Sequence, residues 1–349
     1  MRPFAWLAVA AALLAGCVSN ASIPVIPGPT PSPSPSPLPT GTIAPTIYVA
    51  NFGFPPSLSA FSSLIGGSGV APVRIVAGAA TGLTAPRAIA VDASGKIYVA
   101  NLIGPASIEV FAAGAAGNVA PVQNILGDTT MPLRDVYALA IDGAGQIAVS
   151  NNPPDPTQHA LLFFAPGSTG SVPPSRAITG GASVSTATGI AFDPAGELIA
   201  ALQLPSIYPS NTLVAFAPGA SGNATPVRIV NGSATQLDTS SVGGGAPALA
   251  AGQSGLYVAF PPTNALPARV LVFPLGANGN VAPSATIQGS ATTLASPVGI
   301  AVDAAGYVFV LDASGQVAIF APGATGNVAP LRTITGAGSS NPVAIAVGP

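Results

Sequence analysis

PRAIAVDASGKIYVANLIGPASIEVF, running from Pro86 to Phe111, is the stretch whose reading decides the fold. Its opening residues alternate small and large side chains, Ala88 and Ala90 against Ile89 and Val91, which is the period of a β-strand with two unlike faces. Asp92-Ala93-Ser94-Gly95 then reads as a tight turn: the aspartate bonds backbone two residues on, and the glycine accepts the left-handed conformation that closes a hairpin. A second strand (Lys96–Ala100), a loop and a third strand (Ser107–Phe111) follow. The same order returns at Pro297 to Phe320 as PVGIAVDAAGYVFVLDASGQVAIF, so the unit is a repeat.

Outward from that stretch, the third strand ends in Phe and runs into a Gly-rich turn, a Pro and a short fourth strand. FAAGAAGNVAPVQNI (Phe111 to Ile125) has counterparts starting at Phe164, Phe216, Phe273 and Phe320, and a shortened copy, GGSGVAPVRIV, runs from Gly66 to Val76. The aligned prolines Pro72, Pro121, Pro174, Pro226, Pro283 and Pro330 lie 49, 53, 52, 57 and 47 residues apart. Six copies of four short strands, here called a to d, predict an all-β six-bladed β-propeller in which each blade buries both faces against its neighbours. The small face of strand a, as in Gly189/Ala191 and Gly299/Ala301, is expected near the axis, where the wedge between blades is narrow. Thr46 to Asn51 matches strand b and Pro342 to Val347 matches strand a. The C-terminal strand is therefore expected to complete the N-terminal blade and remove two open edges.

Composition points the same way. Only 6% of the 349 residues are charged and 49% are apolar, while Gly (41) and Pro (39) punctuate regular Val/Ile/Ala runs, the look of an all-β chain with many turns. With Lys+Arg 9 against Asp+Glu 11 there is no basic stripe, and no nucleic-acid partner is expected.

Two segments precede the repeats. Residues 1–17 open with Met1-Arg2-Pro3, continue as an apolar run from Phe4 to Leu14 and end in Leu14-Ala15-Gly16-Cys17. The run is short of the roughly twenty apolar residues that span a bilayer and reads as a secretion signal. Its last four residues resemble the lipobox of bacterial lipoproteins. That resemblance implies a diacylglycerol on Cys17, the only cysteine, and cleavage before it; Val18 in place of a retention aspartate implies the outer membrane in a Gram-negative cell. Residues 18–45 include PTPSPSPSPLP (Pro29 to Pro39) and read as a polyproline stalk, about 3.1 Å per residue and roughly 80 Å in reach. The propeller domain is 46–349. A single cysteine also excludes an intramolecular disulfide and a Cys-based metal site.

Across the domain, Pro-x-Gly-Ile-Ala-Val-Asp-x-x-Gly-x-Ile-Tyr-Val-x-Asn…Ile-x-Val-Phe resembles the NHL repeat and the related YVTN propellers. The second and sixth copies match closely, and the fifth departs with Gly252 in place of the turn aspartate. The resemblance implies the fold and is nearly silent on activity, because propellers host unrelated functions. Gluconolactonase-like six-bladed enzymes hold a divalent metal on the axis with carboxylate and Asn ligands, several at the entry to strand a. The residues there are Arg87, Tyr137, Thr188, Pro247, Val298 and Val343, none a usual hard-metal ligand. No metal or other cofactor is expected, and a metal-dependent lactonase, hydrolase or lyase stands as the alternative to a binding module.

The aspartates Asp92, Asp142, Asp193 and Asp303 read as turn formers, since one carboxylate per turn cannot assemble a calcium shell. Arg74, Arg176, Arg228 and Arg332 share one place on strand d and read as solvated charges guarding the outer edge. The candidate partner surface is the face where the b–c and d–a connections emerge. There Asn51, Asn101, Asn151 and Asp312 end strand b on four consecutive blades, a polar arc opposite Leu202 and Phe260. They read either as caps of the b–c loop backbone or as part of a ligand face. The extra length of blades three to five falls on the same side, in stretches carrying His159, Tyr208, Asn211, Phe260 and Asn264 amid stiffening prolines. His159, the only histidine, reads as a surface residue. Loops enlarged together on one face are where binding usually resides. The function this supports is a membrane-anchored extracytoplasmic module that binds a protein, peptide or glycan without chemistry.

Overall fold

A computed structural model of the chain describes residues 45–349 apart from 65, 103–105, 181–183, 204–210, 238–246, 264–265 and 337–340. The strands form six four-stranded antiparallel sheets, each one blade. Blade 2 comprises β4 (Pro86–Val91), β5 (Ile97–Asn101), β6 (Ser107–Phe111) and β7 (Gln123–Ile125), in the order a to d. Blades 3 to 6 repeat it, with strand a at β8 (Val136–Ile141), β12 (Ala187–Phe192), β16 (Ala248–Gly252) and β20 (Pro297–Val302). Blade 1 is built from both ends of the domain. The last strand, β24 (Pro342–Gly348), lies antiparallel to β1 (Thr46–Asn51), with Ile345 opposite Val49 and Val347 opposite Ile47. The fold is the six-bladed propeller the repeat count requires, closed by that pairing.

Six apolar clusters hold the ring, one at each blade-to-blade interface. The Phe that ends strand c, at Phe111, Phe164, Phe216, Phe273 and Phe320, is fully buried in every case. Each such burial stabilises by about 1.5–3 kcal/mol relative to exposure. Near the axis the small residues matter as expected. A Cβ on Gly189 would sit 3.0 Å from Leu249 Cβ and 3.2 Å from Leu249 N on the next blade, and one on Gly299 would meet Ile345 Cγ2 at 3.0 Å. The a–b turns also form as read. Asp92 Oδ1 accepts from Ser94 N and Lys96 N at 2.9 and 3.0 Å, and Gly95 holds φ +82°. Asp142, Asp193 and Asp303 repeat these bonds.

The Gly-rich c–d turn does more than reverse the chain. Its second glycine forms a parallel bridge to strand d of the preceding blade: Val76 with Gly117, Ile125 with Gly170, Ile178 with Gly222, Val230 with Gly279, Ile287 with Gly326 and, across the closure, Ile334 with Gly67. Gly117 N donates to Ile75 O at 2.7 Å and Ala77 N donates to Gly117 O at 3.2 Å, a geometry that needs the glycine's φ of +76°. Strand d is thus covered by its neighbour.

That cover corrects the reading of the strand-d arginines as solvated guards. Arg332 Nη1 donates to Ser63 O of blade 1 at 3.0 Å, and Arg176 Nη1 to Ala220 O of blade 4 at 2.6 Å. Arg228 bonds Leu275 O of blade 5 while pairing with Asp193 and Glu197 of its own blade. In blade 2, Gln123 Nε2 takes the same role on Ser168 O at 3.1 Å. Turn carbonyls left over by the c–d geometry need donors, and a long planar donor on the adjacent strand supplies them. Arg74 turns instead to Tyr48 Oη at 3.2 Å.

Candidate functional site

The b–c and d–a connections emerge on one face, at the entry to the strands a. The residue ending strand b there faces the residue starting strand c. The pairs are Asn51/Ser57, Asn101/Ser107, Asn151/Ala160 and Phe260/Arg269; blade 4 runs one pair past Leu202/Thr212, to Gln203/Asn211, and in blade 6 Asp312 N donates to Gln316 O just beyond the ladder. Asn101 is buried, and its amide joins the d–a connection to strand b: Oδ1 accepts from Thr84 N and Ala85 N at 3.1 and 3.3 Å, and Nδ2 donates to Gly82 O at 3.1 Å. Asn151 repeats both halves, accepting from Arg134 N and donating to Pro132 O. In blade 6 the halves are divided. Asp312 accepts from Ala295 N and Ser296 N, and Gln316 Nε2 donates to Thr293 O. Blade 5 keeps only the donor: Phe260 is buried, and Arg269 beside it sends Nη2 to Gln236 O at 3.1 Å.

The four residues of the expected polar arc are therefore buried, and in Asn101, Asn151 and Asp312 they are latches that bond the d–a connection and not the b–c loop. In blade 1, Asn51 Nδ2 donates instead to Ser57 Oγ and Ser59 Oγ at 3.3 and 3.2 Å. The d–a segment is the partner because it crosses directly over the end of strand b with backbone groups that no sheet ladder satisfies. Burial pushes the Asp312 carboxyl up, partly opposed by its two backbone N–H donors. Burial likewise lowers Arg269, whose Nε and Nη1 have no hydrogen-bond partner and whose guanidinium lies 4.7 Å from the Phe260 ring centroid.

His159 is also buried, against its reading as a surface residue. Its Nε2 donates to Pro153 O at 3.1 Å, because the Asn152–Ala160 connection folds back over it and Asp155 caps a single 3-10 turn at Thr157 N. Nδ1 has no partner. His159, Arg134 and Met131 line a concavity between this loop and the d–a connection before it. Asn211 is half-buried and donates to Leu237 O at 3.2 Å. Cys17, Tyr208 and Asn264 lie outside the described residues.

A second concavity is the mouth of the central channel. Its rim is Arg87, Tyr137, Thr188, Pro247, Val298 and Val343, the residues at the entry to strand a. The pairing of strand a with strand b skips a position at Arg87, at Tyr137–Ala138, at Thr188, at Val298 and at Val343. A bulge re-aims the side chain it carries, so five blades turn one extra residue toward the axis. In blade 5, Pro247 reaches the rim from just before the strand. The only trace in sequence is that one residue separates the Pro from the small-large alternation, as in Pro86-Arg87-Ala88 and Pro297-Val298-Gly299.

At the channel's other end Asp142, Asp193 and Asp303 approach the axis, each with Oδ1 committed to its own turn. Among the described residues no group of three His, Cys, Asp or Glu is placed to hold a metal ion.

The class this geometry defines is a six-bladed β-propeller with a recessed axial mouth. No protein-family model matches the chain, and no curated protein is similar to it. Solved structures share the fold. A protein of unknown function from Bacteroides caccae is 11% identical, with a TM-score of 0.55 over 87% of this chain and 98% of the other. A Bacteroides fragilis protein with the provisional name 6-phosphogluconolactonase is 16% identical, with a TM-score of 0.53 over 90% and 99%. At these identities the likeness is one of fold.

Proposed function

We propose that the chain is a lipid-anchored, extracytoplasmic propeller that acts as a non-catalytic binding module and presents its b–c/d–a face to a protein, peptide or glycan partner. The observation that carries this reading is that the axial mouth and the concavity beside His159 open on the face where the connections are longest, whereas the concavity at the channel's other end is ringed by the short a–b turns. The leader, Cys17 and the Pro/Ser-rich residues 18–45 support the address, the cell surface or, in a Gram-negative cell, the outer membrane. The alternative, a metal-dependent lactonase, hydrolase or lyase, lacks a donor set at the mouth: Arg87, Tyr137, Thr188, Pro247, Val298 and Val343 offer no carboxylate or imidazole.

Two measurements test the reading. Cys17→Ala is expected to abolish metabolic labelling with palmitate, and persistent labelling ends the anchor claim. In crosslinking to envelope partners on intact cells, Gln158→Glu with Thr157→Lys on the loop face is expected to reduce the captured species. Loss caused instead by charges at Gly143 and Ala144, on the opposite face, overturns the assignment of the surface.

A further inference from the structure

The axial mouth is chemically divided. Blades 2, 3 and 4 contribute Arg87, Tyr137 and Thr188; blades 5, 6 and 1 contribute Pro247, Val298 and Val343. A polar half-ring thus faces an apolar half-ring across one opening. Arg87 is half-buried and makes no ion pair or hydrogen bond among the described residues; its Cζ lies 5.3 Å from the Tyr137 ring centroid. Thr188 Oγ1 is within 3.4 Å of both Ala201 O and Pro247 O, so its proton is directed to backbone while its lone pairs stay open. No carboxylate lines the mouth, and Asp135, two residues before Tyr137, is not part of the rim. The result is one uncompensated guanidinium, fixed by a bulge and an aromatic face, opposite a wall of branched aliphatic and proline side chains.

We propose that the channel mouth is a binding site for a small monoanionic carboxylate with an apolar body. The carboxylate accepts from the paired N–H groups of Arg87, with the Tyr137 ring beside the guanidinium, and the body rests on Pro247, Val298 and Val343. A guanidinium offers two parallel donors matched to a carboxylate, and the half-apolar wall favours an uncharged remainder. One cation, with no second Arg or Lys and no metal-binding group on the rim, suits a single negative charge better than a phosphate dianion. The inference goes beyond the interaction-module reading and does not depend on it, since the loops can hold a partner whether or not the mouth is filled.

The test is calorimetric titration of the full chain with benzoate, benzamide and phenyl phosphate. Benzoate is expected to bind at millimolar concentration, with benzamide and phenyl phosphate each weaker by about tenfold or more, the scale of a charge-assisted hydrogen bond. Arg87→Met is expected to weaken benzoate by about the same factor. Val298→Asp, which sets a carboxylate opposite Arg87, should do likewise, while Lys96→Met, on the exposed a–b turn of the opposite face, leaves binding unchanged. Absence of benzoate binding, equal binding of benzamide, preference for phenyl phosphate, or insensitivity to both rim substitutions overturns the proposal. The wild-type comparison of benzoate with benzamide decides even where a rim variant fails to fold.

Discussion

The amide of Asn101 spans the gap between strand b and the d–a connection, accepting from Ala85 N and donating 3.1 Å to Gly82 O. Blade 6 meets the same need with Asp312 and Gln316, and blade 5 meets half of it with Arg269. The equivalence rests on backbone: the carbonyls that receive the donor belong to Gly82, Gln236 and Thr293, each the left-handed residue that ends a 3-10 turn. One requirement of the fold is thus satisfied by three different side-chain solutions.

Asp312→Asn is expected to stabilise the protein at neutral pH. Burial raises the Asp312 carboxyl, so the stability associated with that group is fully present below the unfolded carboxylate value of about 3.9 and is lost as pH rises through the raised folded value. An asparagine turned as Asn101 is, with its one oxygen taking both the Ala295 and Ser296 N–H groups that Asp312 divides between its two oxygens, would remove the buried charge and donate to Thr293 O. Gln316→Ala should then cost about 1 kcal/mol in the wild-type background and close to nothing in the Asp312→Asn background. Urea unfolding of the four variants at pH 5 and pH 8 measures this. Equal costs of Gln316→Ala in both backgrounds, or a less stable Asp312→Asn protein at pH 8, contradict the divided-latch account.

Arg269→Met is expected to raise stability by about 1–2 kcal/mol. The wild-type side chain buries a guanidinium with one hydrogen bond and two unpartnered nitrogens, so a flexible apolar replacement that packs on Phe260 removes more cost than benefit. A loss of stability in chemical unfolding would show that the single bond to Gln236 O and the ring contact outweigh burial of the charge.

The ring was legible in the sequence because its causes are local and periodic. Alternation at Ala88 to Val91, the Asp92–Gly95 turn and the buried Phe111 each announce themselves within a few residues, and repetition multiplies the signal. What was not legible depends on which blade lies alongside. Gly117 and Arg176 look like a turn residue and an edge charge until the neighbouring blade is in place, when one bridges strand d and the other bonds the Ala220 carbonyl. The polar arc of Asn51, Asn101, Asn151 and Asp312 is legible as a set of equivalent positions at the end of strand b, but alternation along a strand does not distinguish a residue facing the mouth from one beneath the next connection. The rim positions Arg87, Tyr137 and Val298 are legible at the entry to strand a, while the bulges that turn them inward leave almost no sequence mark.

Removal of Pro342 to Pro349 tests how much of the ring depends on its closure. Without β24, β1 loses the ladder that pairs Thr46 through Asn51, and Ile345, which packs against Gly299 of blade 6, is gone. Beside the apolar packing of Ile47, Val49 and Phe61 on blade 6, the remaining tie across the joint is the backbone bridge between Gly67 and Ile334 with the Arg332 bond to Ser63 O. Those few bonds cannot replace a buried strand: an exposed edge carrying Ile47 and Val49 offers a template for pairing between molecules, and each interface of the open ring loses the constraint that its neighbours supply. The truncated chain is expected to show no cooperative thermal transition and to sediment as aggregates, with a soluble, cooperative species restored by adding the Pro342–Pro349 peptide in trans. A truncated protein that stays monomeric and melts within about 4 °C of the full chain, a shift of roughly 1–2 kcal/mol, would mean that the Gly67–Ile334 seam suffices to close the ring.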